Sequence, residues 1–435
     1  MPPAARDDGE AGMPMAPIPS ATLVVLAPCA AHQWRAPQWR TLLVSRSARL
    51  GSSFRSAVVF PGGAVDAADY AALHVPHGER KSAAGKRALQ LAALRETFEE
   101  TGLLLVPSRS TGSRLSSRAV GAGEAGVSVE EWARMREAVH NDASRFAPFL
   151  AQVCKHLGIA GDADSADALP LAAMMEFSRW ITPRTIVRPA KRFDAHFFLT
   201  VLDAPDVLTP DTASASGASE GIAATTKGGL GLSADGTETL NLKVETPADI
   251  LAAAMREEFL LMPPQFYILA DIAAALERPG AGGVEALRPL RFLDAPGVGK
   301  KAHGVSPVYT EDRPAELTAI EPRFMPKAGK TMPLPHASNA SAADPAEQER
   351  YVFPLVMPGD VDCSAEQRLA AGLPARPPQA QHGAPRILNR VLVSPRPGGG
   401  GVSVFGVIRR GMPGLEDMSL GWTGEDDGES IAPKL

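Results

Sequence analysis

The stretch RETFEETGLLL, Arg95 to Leu105, places three glutamates within five positions. On a helix, residues three and four apart are neighbours, so Glu96, Glu99 and Glu100 share one face. Like charges at those separations oppose a helix by about 0.2–0.5 kcal/mol per pair. Gly102 stands where a left-handed cap residue ends a helix, and the apolar run 103–106 reads as the next strand. Three carboxylates on one rigid face form a hard oxygen site suited to Mg2+ or Mn2+. A bound dication would offset the repulsion. Arg95, four residues before Glu99, can hold one carboxylate in place.

Working upstream, KRALQLAALRETFEE predicts a helix from about Lys86 to Glu100, with Leu89, Ala92, Ala93 and Leu94 supplying apolar contact. Before it, SAVVFPGGAV (56–65) reads as a β-branched strand entering a Pro-Gly-Gly turn. An acidic stretch, DAAD, follows.

These segments together resemble the box of the Nudix hydrolases. RETFEETGL meets every fixed position of its second half, with Thr97 a soft match at the first apolar position. The first half, a glycine followed by an acid six residues on, falls on Gly63 and Asp69, with Asp in place of Glu. The box normally has seven residues between that acid and the arginine. Here there are 25, an insertion of 18 covering about residues 70–87. Such an insertion in a surface loop adds little closure entropy. The split box, together with RWITP, RFDAHFFL and PPQFY in that order, resembles the peroxisomal coenzyme A diphosphatases of the family over roughly 20–106 and 170–277.

The resemblance implies a Nudix-type α/β/α sandwich with a mixed sheet, plus a helical insertion and long disordered inserts. It implies Glu96, Glu99 and Glu100 as metal ligands, joined by the Gly63 carbonyl, with Arg95 orienting the glutamates and Asp69 an uncertain helper. The general base is left open among Glu100, Glu257 and Glu258. A coenzyme A substrate carries a diphosphate and a 3′-phosphate, so cations are expected around it. Arg46, Arg49 and Arg55 precede the glycine turn, and Arg188, Lys191 and Arg192 lie in IVRPAKRF. The expected reaction is metal-assisted hydrolysis of coenzyme A or acyl-CoA to 3′,5′-ADP and a 4′-phosphopantetheine. The alternatives are ADP-ribose, NADH or another dinucleotide as substrate, or a non-catalytic nucleotide-binding module.

The rest of the chain predicts strands at 21–28, 40–47, 177–183, 192–202 and 238–244, and a helical pair within 129–158. A helix follows Thr246 as N-cap and Pro247 at its first turn, and another spans 262–277. Residues 386–395 and 402–410 read as a hairpin. The organisation expected is a disordered lead (1–20), a Nudix domain (21–277) with a low-complexity insert at about 208–237, a C-terminal extension (278–410) and an acidic tail (411–435). Residues 108–127 read as loop, and 325–348 and 364–385 as linkers.

Gly (40) and Pro (39) make up nearly a fifth of the 435 residues, so loops should be extensive. The net charge is −5, yet residues 411–431 carry six acids and no Lys or Arg, leaving +1 on the remainder. No basic stripe points to nucleic acid. No apolar run is long enough for a bilayer. Cys29, Cys154 and Cys363 are odd in number and widely spaced, which suits a reducing compartment better than a disulfide framework. Pro433-Lys434-Leu435 shares Lys-Leu with a peroxisomal address, so an import receptor is a candidate partner.

Overall fold

The computed structural model describes residues 16–29, 38–46, 57–109, 115–159, 169–183, 191–208, 224–225, 230–234, 239–276, 284, 287, 319–320, 322–324, 330–333, 349–357, 388–395, 402–410 and 418–420. In chain order these give β1 (Ile18–Pro28), β2 (Trp39–Arg46), β3 (Ala57–Val59), β4 (Gly62–Ala64), α1 (Ala67–Ala71), α2 (Ala83–Thr101), β5 (Leu104–Pro107) and β6 (Ser116–Val120). Then come α3 (Val129–Asn141), α4 (Phe146–His156), β7 (Met175–Ile181), β8 (Phe193–Leu202), β9 (Ala224–Thr225), β10 (Gly231–Leu232), β11 (Thr239–Glu245), α5 (Pro247–Met255), β12 (Leu260–Leu261) and α6 (Pro263–Leu276). The C-terminal part supplies β13 (Ala319–Ile320), β14 (Arg323–Phe324), β15 (Lys330–Pro333), β16 (Glu349–Val356), β17 (Leu388–Pro395), β18 (Val402–Arg410) and β19 (Met418–Leu420).

The main sheet is mixed. β1 lies antiparallel to β2 and β4 but parallel to β8, which pairs antiparallel with β7. Alternate residues of β1 serve two cores, as the period of two in a strand requires. Ala21, Leu23, Val25 and Ala27 pack with residues of α2, α3 and α4, whereas Val24 and Leu26 pack with α5 and α6. The sheet is therefore buried on both faces, giving the expected α/β/α sandwich.

Thr246 caps α5 through Asp249 N with Pro247 in its first turn, and the helical pair and hairpin lie where the pattern places them. Several segments differ from expectation. Residues 116–120, within the expected loop, form β6, because Ser117 Oγ and Thr200 Oγ1 satisfy one another across a buried β6–β8 contact. In the low-complexity stretch, Leu230 and Leu232 enter the α2-side core. The expected linker 325–348 contains β15. The C-terminal hairpin is the centre of a six-stranded antiparallel sheet.

That sheet shares its core with α6, since Val391, Val393, Val404 and Val407 join Phe266 and Leu269. Within this apolar contact Tyr267 Oη donates to Asn389 Oδ1 (2.7 Å), and Arg409 Nη2 donates to Asp271 Oδ1 (2.5 Å). Cys29 and Cys154 are free thiols, and Cys363 lies outside the described residues. Among the described residues no helix is long and apolar enough to cross a membrane.

Candidate active site

The glutamate stretch occupies the last turns of α2. Ser82 caps the helix start by accepting from Gly85 N, and Gly102, at φ 74°, ends it. The helix is enclosed almost all round: Glu99 and Glu100 are buried along with Leu94 and Phe98. Thr97, the soft match, is fully buried and spends its hydroxyl on Ala93 O at 2.7 Å, so a polar side chain is tolerated at an apolar position.

The two halves of the box meet despite the insertion. Arg95 donates Nε to Asp69 Oδ1 and Nη2 to Asp69 Oδ2, both at 3.0 Å, a bidentate fork across 26 positions of sequence. The same guanidinium donates to Glu99 Oε1 (2.7 Å) and Ala64 O (3.1 Å) and lies 3.0 Å from Glu96 Oε1. Asp69 also accepts from Asp66 N in a capping box on α1. In this structure it is therefore the anchor of Arg95, and its shorter reach is matched by the start of α1.

The insertion is not a free loop. Its final residues form the start of α2, and Arg80 is hydrogen-bonded to the buried Asp194 of β8, which Arg179 also grips in a fork at 2.8 and 2.9 Å. Lys86 pairs with Glu176 (3.5 Å), whose carboxylate accepts from His196 Nδ1 at 2.7 Å. Burial opposes the charge on Asp194, but Arg179, His196 and Arg80 outweigh it and hold its carboxyl below the usual range.

Opposite the helix stands the glycine turn. Gly62 N donates to Glu100 Oε2 at 3.0 Å, and Arg46 Nη2 donates to Gly62 O at 2.9 Å and lies 3.4 Å from Glu100 Oε1. A Cβ on Gly63 would sit 2.5 Å from the Glu96 carboxylate, so a larger residue there would push that side chain aside. Of the six candidate substrate cations, Arg46 is thus brought to the glutamates. Arg192 is buried and donates Nε to Thr182 O, while Lys191 beside it is exposed. Arg49, Arg55, Arg188 and Pro433-Lys434-Leu435 lie outside the described residues. Glu258, exposed in the turn after α5, engages Arg256, and Glu257 holds a positive φ of 58° in the same turn.

The electrostatics follow from crowding. Burial, opposed by Arg95 and reinforced by Glu99, pushes Glu96 up to about 7. Burial likewise raises Glu99 against the pull of Arg95 and of His140, whose Nδ1 lies 3.7 Å from Glu99 Oε2. Burial works against the charge on Arg95, but Glu96, Asp69 and Glu99 more than reverse it. Asp69, Glu96, Glu99 and Glu100 face two guanidiniums, Arg95 and Arg46, an excess of two negative charges when all are ionised. That excess and those hard oxygens fit a divalent cation. The carboxylates are nevertheless drawn onto the guanidiniums, and among the described residues no three His, Cys, Asp or Glu groups form a ready-made ligand cluster. A dication here must compete with Arg95 for Glu96 and Glu99.

A folded-state pKa above the unfolded value of about 4.3 means that folding takes up a proton. The metal-free chain should therefore lose stability as pH rises from about 4.3 to 7, by up to about 3 kcal/mol from Glu96. Thermal melts at pH 5 and pH 8 test this, and added Mn2+ should stabilise most at pH 8. An equal Mn2+ shift at both pH values would contradict the assignment.

A family model described as the NUDT19 Nudix domain matches residues 76–218, which include the glutamate helix, α3, α4, β7 and β8. Over these residues the chain is similar to a Nudix domain. It is 28% identical over 270 residues to an acyl-coenzyme A diphosphatase NUDT19 of Gallus gallus, covering 53% of this chain and 60% of that one. With the Homo sapiens protein of the same name it shares 26% identity over 268 residues, 54% of this chain and 60% of the other. The chain thus spans less than two thirds of these relatives' length. A solved NUDIX hydrolase from Alicyclobacillus acidocaldarius aligns over 60% of this chain and 92% of its own, with 20% identity and a TM-score of 0.38.

Sequence reasoning on the Nudix domain missed Gly62 N, Trp132, Arg136 and His140 as neighbours of the box. The last three recur at four-residue spacing within a segment correctly read as helical, but nothing in the segment says which helix its face meets.

Proposed function

We propose that the chain is a Mg2+- or Mn2+-dependent diphosphatase acting on coenzyme A or acyl-CoA. In this reading residues 21–277 form the Nudix domain. The observation that carries it is the buried carboxylate cluster of α2, in excess over its guanidiniums and closed by the Gly62–Gly63 turn. The similarity to acyl-coenzyme A diphosphatases supports the substrate class.

Glu96, Glu99 and Glu100, with the Gly63 carbonyl, would hold the dication. When bound, such an ion neutralises diphosphate charge and lowers the pKa of bound water. Arg95, anchored by Asp69, orients Glu99, which would be shared with the ion. Arg46, half-buried at the turn, is placed to meet a phosphate oxygen beside Glu100. Attack of water on phosphorus would break the anhydride and give 3′,5′-ADP and a 4′-phosphopantetheine. Peroxisomal residence fits that substrate class, and organelle co-localisation of a fluorescent fusion tests it.

The decisive assay incubates the pure chain with CoA, acetyl-CoA, ADP-ribose, NADH and diadenosine polyphosphates, with Mg2+ or Mn2+. The expected product is 3′,5′-ADP from the first two. AMP from the others with no 3′,5′-ADP would move the enzyme to dinucleotides. No turnover of any compound, with binding retained, would make it a nucleotide-binding module.

A further inference from the structure

The end of α2 is held by groups from distant parts of the chain. The last carbonyls of a helix have no partner within it and are ordinarily left to water or a local cap. Here Trp132 Nε1 donates to Gly102 O at 3.3 Å and Arg136 Nε to Glu99 O at 2.7 Å. Ser233 N, from the low-complexity stretch, donates to Thr101 O at 3.1 Å. Arg136 Nη1 then donates to Ser233 Oγ at 2.7 Å, tying the two outside segments together.

Trp132, Arg136 and His140 stand four residues apart, so they form one stripe along α3. Its first member packs edge-on against Phe98, with ring centroids 5.3 Å apart, and its last reaches the Glu99 carboxylate. A cation at a helix C-terminus also complements the helix dipole. The stripe therefore addresses both the backbone and the side chain of the same glutamate.

We propose that Arg136 is a positioning residue for the reaction. It fixes the turn that carries Glu99 and Glu100, so that the backbone behind both carboxylates is already in place when a dication competes with the guanidiniums for them. Ser233 holds Arg136 in that role, which gives part of the low-complexity insert a task at the active site. The inference rests on the metal-binding reading of the preceding section.

The test uses the full chain and Mn2+ titration by calorimetry, alongside steady-state kinetics on CoA. Arg136→Gln is expected to weaken Mn2+ binding and lower kcat by about 10–100-fold, the range for groups that support metal ligands. KM for CoA should change less than twofold. Arg136→Lys, which can still donate to Glu99 O, should recover part of both. Ser233→Ala should shift Mn2+ binding and kcat in the same direction by a few-fold. A lowered Tm with Mn2+ binding and kcat per folded molecule unchanged would overturn the positioning role. If Arg136→Gln does not fold, wild-type values for both Arg136→Lys and Ser233→Ala overturn it. A wild-type chain that binds no Mn2+ overturns the metal reading and the positioning role with it, whereas wild-type binding with unaltered variants overturns the positioning role alone.

Discussion

Glu99→Gln and Glu100→Gln are each expected to lower turnover on the best substrate by two to three orders of magnitude. Glutamine keeps the size and the hydrogen-bonding oxygen but removes the charge. Gly62 N would still find an acceptor at position 100, and Arg95 would still find one at position 99. The fold should therefore survive while the negative excess that would draw in a dication falls from two to one. Losing several kcal/mol of charge stabilisation at a metal-assisted step corresponds to that range of rate. Circular dichroism and Tm near the wild type, with kcat down at least 100-fold, are the expected pair of observations. Undiminished turnover in both variants would remove the glutamates from the chemistry.

Arg95→Ala should be the most damaging single change to stability. The side chain is 5% exposed and bridges Asp69, Glu96, Glu99 and the Ala64 carbonyl. Removing it strands several carboxylates in a low-dielectric pocket, and breaking a buried pair from one side typically costs about 3–5 kcal/mol. Part of this is relieved by protonation, because Glu96 already titrates near 7. Urea denaturation at pH 8 should accordingly show a larger loss than at pH 5. Asp69→Asn in the Arg95→Ala background should recover stability, since it deletes one of the stranded charges. Equal losses at the two pH values would mean that the fork contributes packing rather than charge.

The glutamate helix was legible because its signal is local: acid spacing, a capping glycine and an apolar strand lie within eleven residues. The sandwich was legible through the resemblance that the split box carries, and the two-faced burial of β1 agrees with it. What escaped depends on long-range partners. The insertion reads as loop, since nothing in GERKSAAGK announces that Arg80 meets a carboxylate 114 positions away. Ser233 sits in a composition that gives no pattern at all, yet Leu232 beside it is 1% exposed against the core. Among the candidate cations, Arg46 was distinguishable from Arg192 only by what each strand lies next to. The six-stranded C-terminal sheet was half seen, because β17 and β18 form a local hairpin whereas β14 and β16 pair across intervening sequence.

The seating of α6 against that C-terminal sheet has a consequence for how the chain is made. Asp271 and Arg409 are 138 positions apart, so the apolar flank of α6 leaves the ribosome well before its cover exists. At about 5–20 residues per second the interval is roughly 7–28 s, long compared with the microseconds of hydrophobic collapse. During that interval Phe266 and Leu269 are candidates for premature association. The core around α6 cannot be complete before β18 is made, because β18 supplies Val404, Val407 and Arg409 to it.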